Sequence, residues 1–223
     1  MPPANSVVFL LDVDNTLLDN DRVAADLREH LTQAFGPERQ ERYWAIFEEI
    51  RAQVGYADYL GALQRYRAEN PRDPHFLETS FYLADYPFAD RLFPRAIDVI
   101  KRLGNRGPTV ILSDGDVVFQ PRKVQRSGLF DAVGSRVLIY IHKEEELEDV
   151  EQRYPARHYV LIDDKLRILA AVKKVWGDRV TTVFPRQGHY ALDPKVLAKY
   201  PAADVSVDRI ADLMDYDWPM LRG

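Results

Sequence analysis

Cysteine is absent from all 223 residues, which rules out disulfides, thiolate nucleophiles and cysteine-ligated metal sites. No apolar run approaches the roughly 20 residues that a membrane-spanning helix requires. The opening hexapeptide, MPPANS, lacks the basic-then-apolar pattern of a secretory leader. Basic clusters are missing too: Lys and Arg number 30 against 35 Asp and Glu, a formal net charge of −5, which argues against a nucleic-acid surface. These absences make neither a membrane nor a nucleic acid an expected partner and leave the cytoplasm as the default compartment. What remains is 46% hydrophobic and 29% charged, ordinary for a globular protein. The length suits one α/β domain with an insertion, or two small domains. No internal repeat is visible, and oligomeric state is not legible.

The most informative stretch is VVFLLDVDNTLLDND, residues 7–21. Five apolar residues without polar alternation predict a strand buried on both faces, as in a parallel sheet covered by helices. Asp12, Asp14, Asn15 and Thr16 then crowd its C-terminal end. Carboxylates beside a buried strand cost several kcal/mol unless something compensates their charge, so this end reads as a reactive site.

After this strand the pattern becomes helical. Asp21 is the expected N-cap of a helix carrying Val23, Leu27, Leu31 and Phe35 at four-residue spacing. Further helices are expected after Gly36-Pro37, over residues 57–69 and over residues 76–86, and no segment from 22 to 91 resembles a buried strand. From residue 94 helices alternate with short apolar strands at 109–112, 136–141, 159–162, 180–184 and 205–207. A charged helix is expected over 144–153, another over 166–176, and a terminal helix from Asp208. Alternation at this spacing indicates βαβ units. The expected fold is therefore α/β: a Rossmann-like three-layer core with a mainly parallel sheet, residues 1–20 and 92–223, plus an inserted all-α domain, residues 21–91.

Three of the strands end in polar residues, Asp12/Asp14, Ser113/Asp114 and Asp163/Asp164, and a fourth ends at His142-Lys143. In a parallel sheet these ends share one edge, where open α/β sheets bind ligands. Four or more carboxylates in one crevice repel one another, a repulsion that a hard divalent cation with oxygen ligands removes. A lysine and a hydroxyl at the same edge suit an oxygen-rich anion such as phosphate.

In order and spacing these residues resemble the motifs of the haloacid dehalogenase superfamily, in the subfamily with a helical cap between the first and second motifs. Asp12-Val13-Asp14-Asn15-Thr16 matches the first motif, Ser113 the second, Lys143 the third and Asp163-Asp164 the fourth. The resemblance implies a Mg2+-dependent phosphatase of a small phosphorylated metabolite, acting through an aspartyl-phosphate. It makes Asp12 the nucleophile and Asp14 the acid and base. Ser113 and Lys143 would hold the phosphoryl group, with Asn15, Thr16 and Asp114 nearby. Mg2+ would be held by Asp12, the Asp14 carbonyl and Asp164, with Asp163 alongside or through water. One position departs from the pattern: the family often has an acid or amide four residues after the metal-binding acid, and here Ile168 stands there.

A phosphomutase would carry the same motifs. Dehalogenases of the superfamily have no acid at the position of Asp14. A receiver-like phospho-acceptor or binding protein would need neither Asp14 as an acid nor so large a helical insert. Lys123 is the rival of Lys143, but its place within the helix after the Ser113 strand directs it away from the edge. His142, His158 and His189 lack ligand spacing and read as ordinary polar residues. Tyr43, Trp44, Phe47, Tyr56, Tyr59 and Tyr66 read as core of the helical insert rather than a substrate wall.

Overall fold

A computed structural model describes residues 7–218; the opening hexapeptide, read above for a leader, lies outside them. β1 (Val7–Leu11) leads into four helices: α1 (Asn20–Phe35), α2 (Pro37–Val54), α3 (Tyr59–Glu69) and α4 (Phe76–Asp85), followed by a 3-10 turn at Phe88–Arg91. Strand and helix then alternate through α5 (Ala96–Gly104), β2 (Thr109–Asp114), α6 (Phe119–Arg126), α7 (Leu129–Ala132), β3 (Val137–Tyr140) and α8 (Leu147–Arg153). The chain continues through β4 (His158–Ile162), α9 (Leu166–Trp176), β5 (Val180–Pro185), α10 (Gly188–Leu192), α11 (Pro194–Lys199) and β6 (Val205–Val207), and a last 3-10 turn spans Ile210–Met214. Among the described residues, no helix is long and apolar enough to cross a membrane.

The six strands form one sheet in the order β3-β2-β1-β4-β5-β6, and every pairing is parallel. β1 sits in the middle and is buried throughout. Successive side chains of a strand point to opposite faces. Val7, Phe9 and Leu11 therefore pack with the helical insert, α5 and the C-terminal turn, while Val8 and Leu10 pack against α8 and α9. The result is three layers, α/β/α, with an apolar core on each face of the sheet. Fully burying one such leucine or phenylalanine stabilises the fold by about 1.5–3 kcal/mol, which is why β1 tolerates no polar alternation.

The loop leaving β1 joins the insert to the sheet. Asn15 adopts a left-handed backbone, φ 60°, which asparagine tolerates better than most residues. Its Oδ1 accepts from the N–H groups of Asn20 and Asp21, helping to cap α1 from a distance. Asp19, not Asp21, is the N-cap, accepting from the Arg22 N–H at 2.9 Å. Asp21 instead contacts Asn15 and His189. Entry and exit of the insert run side by side, the Asp19 N–H donating to the Arg91 carbonyl and the Phe93 N–H to the Leu17 carbonyl.

Four other elements differ from expectation. The charged segment is split into a 3-10 turn at Lys143–Glu145 and then α8, because the Lys143 N–H is taken by Asp114 Oδ1 at 2.8 Å. The terminal helix is a 3-10 turn at whose start the Arg209 N–H donates to Asp212 Oδ2 at 2.9 Å. α10 and α11, with five and six residues, are too short to leave a periodic signature and were not anticipated.

Candidate active site

Parallel register places the reactive residues together. Leu11 pairs with Ile111 on one side and Ile162 on the other, so the residues that follow leave the sheet at one edge. The Asp12 N–H continues the ladder to the Ile162 carbonyl, and the Asp163 N–H does so to Val183. Asp12, Ser113, Lys143, Asp163 and Asp164 are all buried there.

Lys143 is the hub. Its ammonium is 2.5 Å from Asp12 Oδ1, 2.6 Å from Asp163 Oδ2 and 3.2 Å from the Leu112 carbonyl oxygen. Burial works against its charge, but Asp12, Asp163 and Asp114 prevail and raise its pKa. Asp163 is pushed up to about 6, chiefly by burial and against the pull of Lys143. Burial also raises Asp164 well above its ordinary value and raises Asp114. Asp114 does not stand free to meet an anion: it fixes the start of the lysine turn through the Lys143 N–H.

The carboxylates of Asp12, Asp163 and Asp164 offer oxygens within 4.8 Å of one another. Asp12 Oδ2 and both oxygens of Asp164 are buried without a hydrogen-bond donor. Orphaned carboxylate oxygens are costly, and a hard cation with oxygen ligands answers that cost. The donor set therefore fits Mg2+. Ile168, at the position where the family pattern often has an acid or amide, is wholly buried in the apolar core beneath the sheet. Asp163 supplies the support through Lys143 and through its Oδ1, which accepts from the Lys165 N–H at 2.9 Å.

Asp14 sits at the mouth rather than in the cluster, partly exposed. Lys123 donates to its Oδ1 at 2.6 Å and Gln120 to its Oδ2 at 3.2 Å. The expectation that Lys123 points away from the edge is thus overturned. α6 begins only at Phe119, and that start turns Gln120 and Lys123 inward, where both are buried. Gln120 also donates to Ser113 Oγ at 2.9 Å, linking the hydroxyl to Asp14. Sequence spacing carried one available signal: Gln120 and Lys123 lie three apart, on one helix face.

Asn15 and Thr16 act on the loop. The Asn15 amide donates to Asp21 while its carbonyl caps α1, and Thr16 Oγ1 accepts from the Asp164 N–H at 3.0 Å. Gln187, also missed in the sequence, donates to the Asn15 and Thr16 carbonyls and accepts from the Ile210 N–H at 2.5 Å, pinning the loop from the far side. Gly188, with φ 71°, lies so close that a Cβ there would meet Asn15 Cβ at 2.5 Å.

Between this edge and the insert lies a cavity of about 710 Å³. Asp14, Asp114, Gln120, Lys123 and Lys165 line it from the sheet side, and Arg28, Trp44, Phe47, Arg51, Tyr56 and Tyr59 from the insert. Tyr43, Tyr66, Phe47 and Tyr59 are core, as expected, with Trp44 packed against them, while Trp44, Phe47, Tyr56 and Tyr59 also border the cavity. The cause is the crossing of α1, α2 and α3, which packs one side of the aromatic stripe inward and presents the other to the sheet edge. His189 and Tyr190 of the short α10 complete the wall. His142 packs against Gly55, and His158 contacts Thr181.

The family model for haloacid dehalogenase-like hydrolases matches residues 7–175. A solved structure from Burkholderia xenovorans LB400, of a protein described as a haloacid dehalogenase-like hydrolase, is 64% identical with TM-score 0.91, covering 96% of this chain and 100% of that one. A magnesium-bound HAD-hydrolase from Bacillus subtilis is 16% identical, with TM-score 0.60 and coverage of 94% and 97%. L-2-haloacid dehalogenase from Xanthobacter autotrophicus is 18% identical, with TM-score 0.60 and coverage of 92% and 96%. At those identities the last two share the fold alone. No curated protein matches. By its family match, its fold and the arrangement of its strand ends, the chain belongs to the haloacid dehalogenase-like hydrolases and is an enzyme of that class.

Proposed function

We propose that this hydrolase is a Mg2+-dependent phosphatase of a small phosphomonoester. The observation that carries the reading is Asp14: a second carboxylate two residues beyond Asp12, held at the cavity mouth by Lys123 and Gln120. Carbon–halogen cleavage needs no proton for its leaving group, whereas an alkoxide leaving from phosphorus does.

In this reading Asp12 attacks phosphorus in line, forming an aspartyl-phosphate as the ester P–O bond breaks. Asp14 delivers a proton to the departing oxygen. It then takes one from the water that hydrolyses the acyl phosphate, releasing inorganic phosphate and restoring Asp12. Ser113 and Lys143 hold the phosphoryl oxygens, and Lys143 offsets the charge that gathers around Asp12. Asp12, Asp163 and Asp164, with the Asp14 carbonyl, would hold Mg2+, which when bound offsets the negative charge of the carboxylates and the phosphoryl group. The helical insert acts as a cap that screens the acyl phosphate from bulk water.

Phosphate release from 4-nitrophenyl phosphate, measured with Mg2+ and with excess chelator, tests the reading. Release that depends on Mg2+ is expected. Chloride release from 2-chloropropionate without any phosphate release would replace the phosphatase reading with a dehalogenase.

A further inference from the structure

Most cations lining the cavity have a carboxylate of their own. Lys123 is paired with Asp14, Arg167 with Glu144, and Arg51 with the exposed Glu48. Arg28 instead lies over the Trp44 ring, and Lys165 is different again. Its ammonium, half-buried in the cavity wall, has no ion-paired or hydrogen-bonded carboxylate among the described residues, and lies 5.7 Å from the centre of the Tyr190 ring. An ammonium carries three donors, and an aromatic face answers only part of that charge. Asp164 and Asp12 balance Lys165 from a distance, yet those are the carboxylates that would hold Mg2+.

A second cation converges on the same ring. Arg51, from α2 of the insert, stands with its guanidinium 5.9 Å from the Tyr190 ring centre and donates to the Tyr190 hydroxyl. Two cations from distant parts of the chain thus line one cavity beside one aromatic side chain, Arg51 with Glu48 one turn back on its own helix and Lys165 with no paired acid. Like charges gathered in this way repel, and an anion placed between them removes the repulsion. The position is informative as well. Lys165 directly follows Asp164 and feels the charges of Asp164 and Asp12, so an anion it binds lies near the proposed phosphoryl site.

We infer that Lys165 and Arg51, with Tyr190 between them, form an anion subsite for the leaving group. The substrate is then a short phosphomonoester whose alcohol carries a second anionic group, a carboxylate or a further phosphate. This deepens the phosphatase reading and rests on it. Lys165 and Arg51 supply charge-assisted hydrogen bonds to the distal group, and the Tyr190 hydroxyl helps to fix Arg51.

The test compares kcat/KM within matched pairs: 2-phosphoglycolate against ethyl phosphate for the carboxylate, and propane-1,3-diol bisphosphate against propyl phosphate for the second phosphate. In the wild-type protein at least one charged member is expected to exceed its neutral partner by about tenfold to a hundredfold, the usual scale for hydrogen bonds to charged groups. The pair that shows the preference identifies the anion. Lys165→Met is expected to abolish the ratio and Lys165→Arg to keep most of it. No preference in either pair, or an unchanged ratio in Lys165→Met, would overturn the inference. If no ester releases phosphate, the phosphatase reading falls separately. Calorimetric binding of malonate then decides the subsite: affinity about tenfold weaker in Lys165→Met supports it, and equal affinity overturns it.

Discussion

The sheet edge and the helical insert meet across one cavity but are built differently. At the edge, charged groups are buried and fixed by several partners each: Lys143 touches Asp12, Asp163 and the Leu112 carbonyl. In the insert, charges pair at the surface, as in Arg42 with Glu49 and Glu69 or Arg65 with Glu49, and aromatic rings supply the wall. Exposed pairs of that kind contribute little, about 0–1 kcal/mol each, so apolar packing holds the insert together. The contrast separates two tasks. Chemistry requires groups held to fractions of an ångström, which a parallel sheet edge provides. Recognition requires a wall that can vary in shape and charge without disturbing the catalytic geometry, which a separate helical layer provides.

The sharpest way to break this contrast is at Asp12. Asp12→Asn keeps the side-chain shape and removes the proposed nucleophile, so turnover of any phosphomonoester is expected to fall by roughly 10⁴-fold or more, with circular dichroism unchanged. Near-normal rates would take the chemistry away from the sheet edge altogether. Next in size is Lys123→Met. It frees Asp14 from its buried partner and is expected to lower kcat by roughly 10²-fold, with KM changing less, in steady-state assays. A pure rise in KM would move Lys123 to the recognition side.

Tyr56 tests the other half. It lines the cavity from the segment between α2 and α3, so Tyr56→Ala should raise KM by about tenfold for a good substrate while kcat stays within roughly threefold. A fall in kcat alone would show that the insert takes part in the chemistry.

The smallest expected effect concerns the joint between the two regions. Asp26 of α1 accepts from Arg91 Nε at 2.8 Å, bonds the Tyr86 hydroxyl and pairs with Arg22, tying the insert to its exit turn. Burial opposes its charge, but the Tyr86 and Arg91 bonds prevail and hold its pKa below the ordinary 3.8. A depressed carboxylate pKa stabilises the fold above the unfolded value, and that contribution is lost as pH falls through the lower folded value. Asp26→Asn is therefore expected to cost about 1–2 kcal/mol in urea unfolding at neutral pH, with the difference from wild type vanishing in strong acid. A constant difference across pH would assign the loss to packing.

Legibility followed the range of the interactions involved. β1 and the four strand ends were readable because an unbroken apolar run and the polar residues after it are contiguous in the chain. β6, α9 and the helical character of residues 22–91 were readable for the same reason. Lys123 was misread because the start of α6 decides which way it faces. That start is set by Asp116, which accepts from the Val118 and Phe119 N–H groups at 2.8 and 2.6 Å, a cap whose placement depends on how the chain leaves β2. The lining role of Trp44, Phe47, Tyr56 and Tyr59 was hidden because a buried aromatic stripe looks alike in sequence whether it meets another helix or a cavity. α10 and α11 were silent, being barely longer than a turn.

The sequence by itself determined the α/β architecture and which polar residues gather at the sheet edge, because hydrophobic periodicity and motif spacing are local and the parallel sheet brings its strand ends to one edge. Only the tertiary structure decided that Lys123 reaches Asp14, that Gln187 pins the first motif's loop, and that Lys165 and Arg51 share Tyr190. Each of those depends on the rotation of a helix or the course of a short loop against elements more than a hundred residues away for Lys123, Gln187 and Arg51, where packing rather than neighbouring sequence selects the conformation.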